Sequence, residues 1–325
     1  DAYLDPKEWQ KSQKYLGAPV LLGSMGYKYF DGQFLSQSAF TAGIFGKAEV
    51  PLDSYQGLHV KNQPWKYFDP ISTINVSQLG NCSQLGTMNL SAYGDDADVA
   101  SSCRDGHFWL SPACRSNSSQ CIPYFSPFSG WLDPLIAQKA IVWKIPLAIA
   151  GCKDLKAFEH LVKRHKCVFS WQSPSSLFGS AKPISFPQHQ AAAYGSQNYT
   201  TGGPQYPIAK VVSHDLPVLA PKIRDLIAHM HIDAKIMSHL LREHNRTNAS
   251  WRAVACEFLT RNPAFLRRWW PNATDLLPKD ETDEFDIFDA NDEFTSSGSI
   301  DTMSAQGMAA LLPFASLLGS VLLVI

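Results

Sequence analysis

Four aromatic residues stand where a ring could meet a ligand: Tyr27 and Tyr29 in GSMGYKYFDG, Trp131 in FSPFSGW and Trp171 in FSWQSPSSLF. Each lies beside Gly, Ser or Pro near the end of a short apolar run. That context puts a ring at the mouth of a strand, where α/β proteins form their ligand clefts. Rings converging there suit a quaternary ammonium, which has no hydrogen to donate and is held by electron-rich ring faces at roughly 0.5–2 kcal/mol each. The competing reading for any one ring is plain core or rim packing.

Other chemistry is sparsely represented. The chain has no G-x-S-x-G elbow, no P-loop and no H-E-x-x-H. Its ten histidines are dispersed except for His229, His231, His239 and His244. No two of these are spaced i, i+4 around a glutamate, so they read as surface histidines on amphipathic helices rather than metal ligands. Nothing nominates a nucleophile, a metal or a cofactor, and the expectation is a protein that is not an enzyme. The seven cysteines show no C-x(2 to 4)-C spacing of a zinc site. Close spacing makes Cys103, Cys114 and Cys121 the candidates for a local disulfide, and the odd total leaves a thiol unpaired or intermolecular.

The elements that must position these residues follow from periodicity. Short apolar runs (Pro19 to Leu22, Ala140 to Ile149, Cys167 to Trp171) are separated by Gly, Pro and Ser, and Lys153 to Lys163 has helical character. From Pro221 to Asn262 apolar residues recur at helical spacing, with Asn248 to Ser250 as a helix start. The fold class expected is α/β with C-terminal helices. At 325 residues and a net charge of −1, the chain can bury a large core and carries no electrostatic footprint for nucleic acid. The polar stretch Ser72 to Ser119 reads as a surface excursion, and there is no internal repeat.

Eight of the eleven asparagines stand in Asn-X-Ser/Thr sequons: Asn75, Asn81, Asn89, Asn117, Asn198, Asn245, Asn248 and Asn272. This frequency predicts passage through a glycosylating secretory route and exposure of those positions. The chain begins at Asp1 without a leader, so a signal peptide is expected to have been removed or to lie upstream. Residues 278–307 are acidic and then rich in Ser and Gly, which reads as a solvated stalk. Met308 to Ile325 is almost wholly apolar. Preceded by Ser296, Ser297 and Gly298 and a polar spacer, it matches the layout of a glycolipid-anchor attachment signal. A retained C-terminal span, or an apolar helix packed on the protein, would give the same composition. All but the last place the chain on the extracellular face of a cell, held to the membrane.

The segments CRDGHFWLSPACRSNSSQCIPYFSPFSGW, IPLAIAGC, CVFSWQSPSSLF and SWRAVACEFLTRNPAFLRRWWP resemble the glycine betaine type of substrate-binding protein of ABC transporters, in divergent eukaryotic, membrane-anchored form. The resemblance covers roughly residues 15–272, within a domain of residues 1–277. It implies a two-lobed, type 2 periplasmic-binding-protein-like fold lacking its opening strand and helix, which closes on a small quaternary amine. It also implies Tyr27, Trp131 and Trp171 as ring donors, and Gly23, Ser24, Ser129 and Gly130 as sources of backbone amides. A transporter or co-receptor would be the protein partner. Gln172 stands where related sequences hold a second aromatic, which favours the alternative of a glycosylated surface receptor or interaction module with a degenerate pocket.

Overall fold

The computed structural model describes residues 17–41, 50–82, 103–128, 134–175 and 181–270. Ser129, Gly130, Trp131, Asn89, Asn272, the candidate anchor residues Ser296, Ser297 and Gly298, the acidic stalk and the apolar tail all lie outside these. The chain is a mixed α/β protein of two compact units, residues 29–206 and residues 1–28 with 207–325.

The strands are β1 (Val20–Leu35), β2 (Cys103–Arg104), β3 (Phe108–Leu110), β4 (Ile122–Ser126), β5 (Leu147–Gly151), β6 (Val168–Ser173), β7 (Lys182–Pro183) and β8 (Gln205–Val212). Their order in the sheet is β2-β3-β5-β4-β6-β1-β7, with β8 paired to β1 off that path. β4 runs parallel to both β5 and β6, and β1 runs antiparallel to β6. Every residue of β4 (IPYFS) and β5 (LAIAG) is buried. Continuous burial of that kind requires cover on both faces of the sheet.

Two helices supply much of it. The first long helix after α1 (Gln37–Thr41) is α2 (Pro134–Val142), between β4 and β5; α3 (Leu155–Arg164) lies between β5 and β6. Ile136, Ala137 and Ala140 of α2 cluster with Ile122, Tyr124, Leu147, Ile149, Val168 and Leu35. Phe158, Leu161 and Val162 of α3 cluster with the alternate strand residues Phe125, Ala148, Ala150, Phe169 and Phe34. The period-two alternation of strand side chains therefore sends one set to each helix. α3 starts where Asp154 Oδ1 accepts the Ala157 N–H at 2.8 Å and ends with Lys163 and Arg164 at its negative pole. Pro123 sits in β4 one residue before pairing to β6 begins at Tyr124, where the missing N–H costs little.

Residues Ser72 to Ser119, expected as a surface excursion, contribute β2 and β3 to the sheet edge. The cause is the apolar triplet Phe108-Trp109-Leu110, all three buried. Two disulfides hold this region, Cys82–Cys103 and Cys114–Cys121. Cys152, Cys167 and Cys256 are free, the first two buried, and burial pushes both buried thiols well above the usual range. The six sequon asparagines among the described residues are all exposed. Asn75, Asn117 and Asn198 share one local geometry, in which the side-chain oxygen accepts the backbone N–H and hydroxyl of the Ser or Thr two residues on.

The second unit is helical beyond its strands: α4 (Ala191–Gly195) belongs to the first unit, and here follow α5 (Leu216–Leu219), α6 (Pro221–His229), α7 (Ala234–Thr247), α8 (Trp251–Arg261) and α9 (Pro263–Trp269). Asp233 caps α7 and Ser250 caps α8, accepting from Ile236 N and Ala253 N at 2.8 and 3.2 Å. Asn248 instead closes α7 in a left-handed conformation, φ 51°. Lys210 of β8 donates to the carbonyls of Ala228 and Met230, at the end of α6, at 2.7 and 2.8 Å. Met25 and Tyr27 of β1 pack in this unit's core with Leu226, Met230, Met237 and Phe258.

Burial of Tyr27 raises its phenol from near 10 to about 12. A group whose pKa is raised on folding contributes stability that is complete below pH 10 and lost as pH rises toward 12. Tyr27→Phe is therefore expected to flatten the fall in stability of the helical unit across that interval by on the order of 2 kcal/mol. Chemical denaturation at stepped alkaline pH, wild type against variant, measures it; parallel curves would show that Tyr27 ionises freely.

Candidate functional site

The carboxyl ends of β4 and β6 are neighbours whose outgoing chains diverge. From Ser126 the chain leaves through α2 toward β5 on one side; from Ser173 it leaves toward β7 on the other. A crevice outside two such strand ends is the general ligand position in open α/β sheets. β6 continues through Trp171, Gln172 and Ser173 beyond the last pair, Phe125 with Phe169, so its end forms one wall.

On the α2 face the sheet changes character at this edge. Tyr124, Val168 and Leu35 form one apolar row. One step nearer the edge the same face carries Ser126, Ser170 and Gln33, with Gln33 opposite Ser170. The next step carries Gln172 opposite Asp31, with Tyr29 beyond. Ser126 is fully buried, whereas Asp31 and Gln172 are exposed. A polar ledge thus runs from the sealed interior to solvent across three strands.

A cation stands in the ledge. Lys139 of α2 is 1% exposed; its ammonium donates to Gln33 Oε1 at 2.9 Å and lies 4.5 Å from the Phe186 ring centroid. Tyr55 stacks on Phe186 at 6.2 Å and meets Trp143 at 4.4 Å between centroids. Burying an ammonium is costly unless hydrogen bonds and ring faces replace its water. α2 is enclosed on its outer side by residues 197–200: Gln138 donates to the Gln197 carbonyl and accepts from Tyr199 N, and Trp143 donates to the Thr200 carbonyl.

At the solvent end, the Tyr29 hydroxyl lies 2.9 Å from Asp31 Oδ1 and 3.2 Å from the Gln172 side-chain oxygen. A phenol has one proton, which the carboxylate takes as the stronger acceptor. Crowding by protein raises the Asp31 carboxyl above its usual value, and the Tyr29 hydrogen bond pulls the other way. Gly203 packs on this position, since a Cβ there would come within 2.7 Å of the Asp31 carbonyl; any larger residue would push the chain off β1.

Trp171 points to the opposite face from Gln172. Its ring is half-buried and 5.3 Å from that of Phe158 on α3, and its indole N–H donates to Ser175 Oγ at 2.7 Å. Phe128, exposed, follows β4. Ser129, Gly130 and Trp131 follow in the sequence but lie outside the described residues. Tyr27 and Ser24 belong to the other unit: Tyr27 is buried in its core, and Ser24 Oγ accepts the Gly26 N–H at 3.1 Å. Of the residues expected to bind, Trp171 alone is both described and on the edge of β4 and β6. Gln33, Lys139 and Asp31 were not anticipated, although a lone lysine inside PLIAQKAIV is a visible irregularity; Tyr29 was expected only as one of the aromatics of GSMGYKYFDG. Among the described residues no group of three or more His, Cys, Asp or Glu could hold a metal ion.

No family model and no curated protein matches the chain. Three solved structures overlay weakly. Lactococcal OpuAC, closed on glycine betaine, has 11% identity and a TM-score of 0.37 over 82% of this chain and 75% of that one. The glycine betaine/L-proline-binding protein ProX of Borrelia burgdorferi has the same identity and score over 82% and 74%. An ABC-transporter choline-binding protein with choline bound gives 10% and 0.35 over 81% and 68%. Scores this low assign neither fold family nor ligand to this chain.

Removing the Lys139 ammonium would leave the Gln33 oxygen buried without that donor. Lys139→Met is expected to destabilise the sheet unit by about 1–3 kcal/mol, and Gln33→Leu on that background to recover part of the loss. Urea midpoints of the two single variants and the double variant measure the coupling; strictly additive effects would contradict it.

Proposed function

We propose that this protein is an extracellular, membrane-anchored binder of a small solute, glycine betaine or another quaternary amine. The ligand sits at the crevice outside β4 and β6, without covalent chemistry. The observation that carries the reading is the polar ledge: an exposed carboxylate, Asp31, backed by Gln172, Gln33 and Ser126, at the ends of β4 and β6, with the half-buried Trp171 ring beside it on the other face of β6. A carboxylate and ring faces are complementary to an ammonium, and Ser129, Gly130 and Trp131 follow β4 in the sequence. The sequons and the apolar C-terminal segment support the surface location.

A second reading, a glycosylated interaction module, is favoured by the engagement of Trp171. Its ring packs on Phe158 and its N–H is committed to Ser175, as for a wall residue with no ligand to receive.

Calorimetric titration with glycine betaine, choline and carnitine separates the two. The first reading expects saturable heat with at least one of them, and affinity weakened about tenfold or more in Trp171→Ala, equivalent to about 1.4 kcal/mol. Silence from all three with folded protein would sink the ligand assignment, and unchanged affinity in a folded Trp171→Ala chain would move the site elsewhere.

A further inference from the structure

Val218 and Leu219 are 82% and 79% exposed, far above the other large apolar side chains that reach solvent in the described residues. They are adjacent on α5, the turn between β8 and α6. The turn is well tied: Leu216 N donates to Ser213 O at 3.1 Å, Val218 N and Leu219 N donate to Asp215 O at 3.0 and 2.9 Å, and Ala220 N donates to Leu216 O at 2.9 Å. Two apolar side chains are thus held outward on a backbone already ordered, so docking them costs little further conformational entropy.

We propose that Val218 and Leu219 form a lipid-docking tip that seats the helical unit on a membrane. The inference rests on the membrane-anchored reading above. A second protein copy is a poor occupant, because two side chains bury far less than the roughly 1,000 Å² of a stable interface. A lipid surface needs no shape complementarity, and a single short apolar insertion gives marginal binding that becomes firm when a second anchor is present. That second element is the C-terminal anchor of the reading above, for which Met308 to Ile325, without a charged residue, is the sequence signal. Lys222, exposed three residues beyond Leu219, adds a charge that can reach the phosphate groups of the lipid interface. To either side, His214 Nε2 lies 3.0 Å from Asp215 Oδ1 and Arg224 is ion-paired with Asp225.

The test uses the full chain in phosphatidylcholine vesicles with and without phosphatidylserine. An environment-sensitive fluorophore is placed through Val218→Cys in a Cys256→Ser background, or through Lys235→Cys as a reference on the exposed side of α7. Nitroxide lipid labelled near the headgroup is expected to quench the probe at position 218 about twofold or more, leave the probe at 235 unchanged, and lose that effect with Leu219→Ser. A chain that floats with the vesicles while position 218 stays bright overturns the docking tip and leaves the anchor standing. A chain that does not float overturns both. Loss of probe emission with rising protein concentration in the absence of lipid would identify a second copy as the occupant and overturn the proposal.

Discussion

The structure depends on the complete burial of two adjacent parallel strands, β4 and β5, on both faces. Strands of that kind cannot tolerate water on either side, so the chain must return from each strand end through a helix laid on a face. α2 covers one face and α3 the other. Because β5 and β6 flank β4 on opposite sides, their connections part at the carboxyl edge of β4 and β6. The parting of the connections at this edge is a consequence of burying these strands, not an addition to the fold.

Burial also sets the energetics at that edge. Each large apolar side chain sealed between sheet and helix contributes roughly 1.5–3 kcal/mol, and on the α2 face the apolar row stops at Tyr124, Val168 and Leu35. Ser126, Ser170 and Gln33 then take over, with the Lys139 ammonium bonded to Gln33 and lying on Phe186. A buried ammonium and the side chain it bonds are together a poor way to gain stability compared with an apolar pair of similar size. Its presence beside the polar ends of β4 and β6 is a reason to assign that place a role in binding.

Parts of this were legible in the residues. Strand β6, helix α3 and the helical finish follow from apolar periodicity, and Asp154, Asp233 and Ser250 act as local caps. The sheet role of Phe108-Trp109-Leu110 was hidden by its polar, sequon-rich surroundings, because three residues are too few to show alternation. Trp171 was found from its Gly/Ser/Pro neighbourhood, which does mark a strand mouth. That logic cannot distinguish Tyr27, which shares β1 with Tyr29 and Asp31 but lies in a different unit, since a long strand shows no break in pattern where the chain passes between units. The ledge itself is a tertiary object: Ser126, Ser170, Gln33 and Lys139 are distant in sequence and meet only through register.

The most direct measurement of the central claim is the indole N–H spectrum of isotope-labelled protein titrated with glycine betaine, with Trp171 assigned through Trp171→Phe. A ligand seated outside β4 and β6 predicts that the Trp171 signal, whose proton is held by Ser175 Oγ at 2.7 Å between heavy atoms, shifts saturably. Saturable binding that leaves Trp171 unmoved would contradict the crevice as the site.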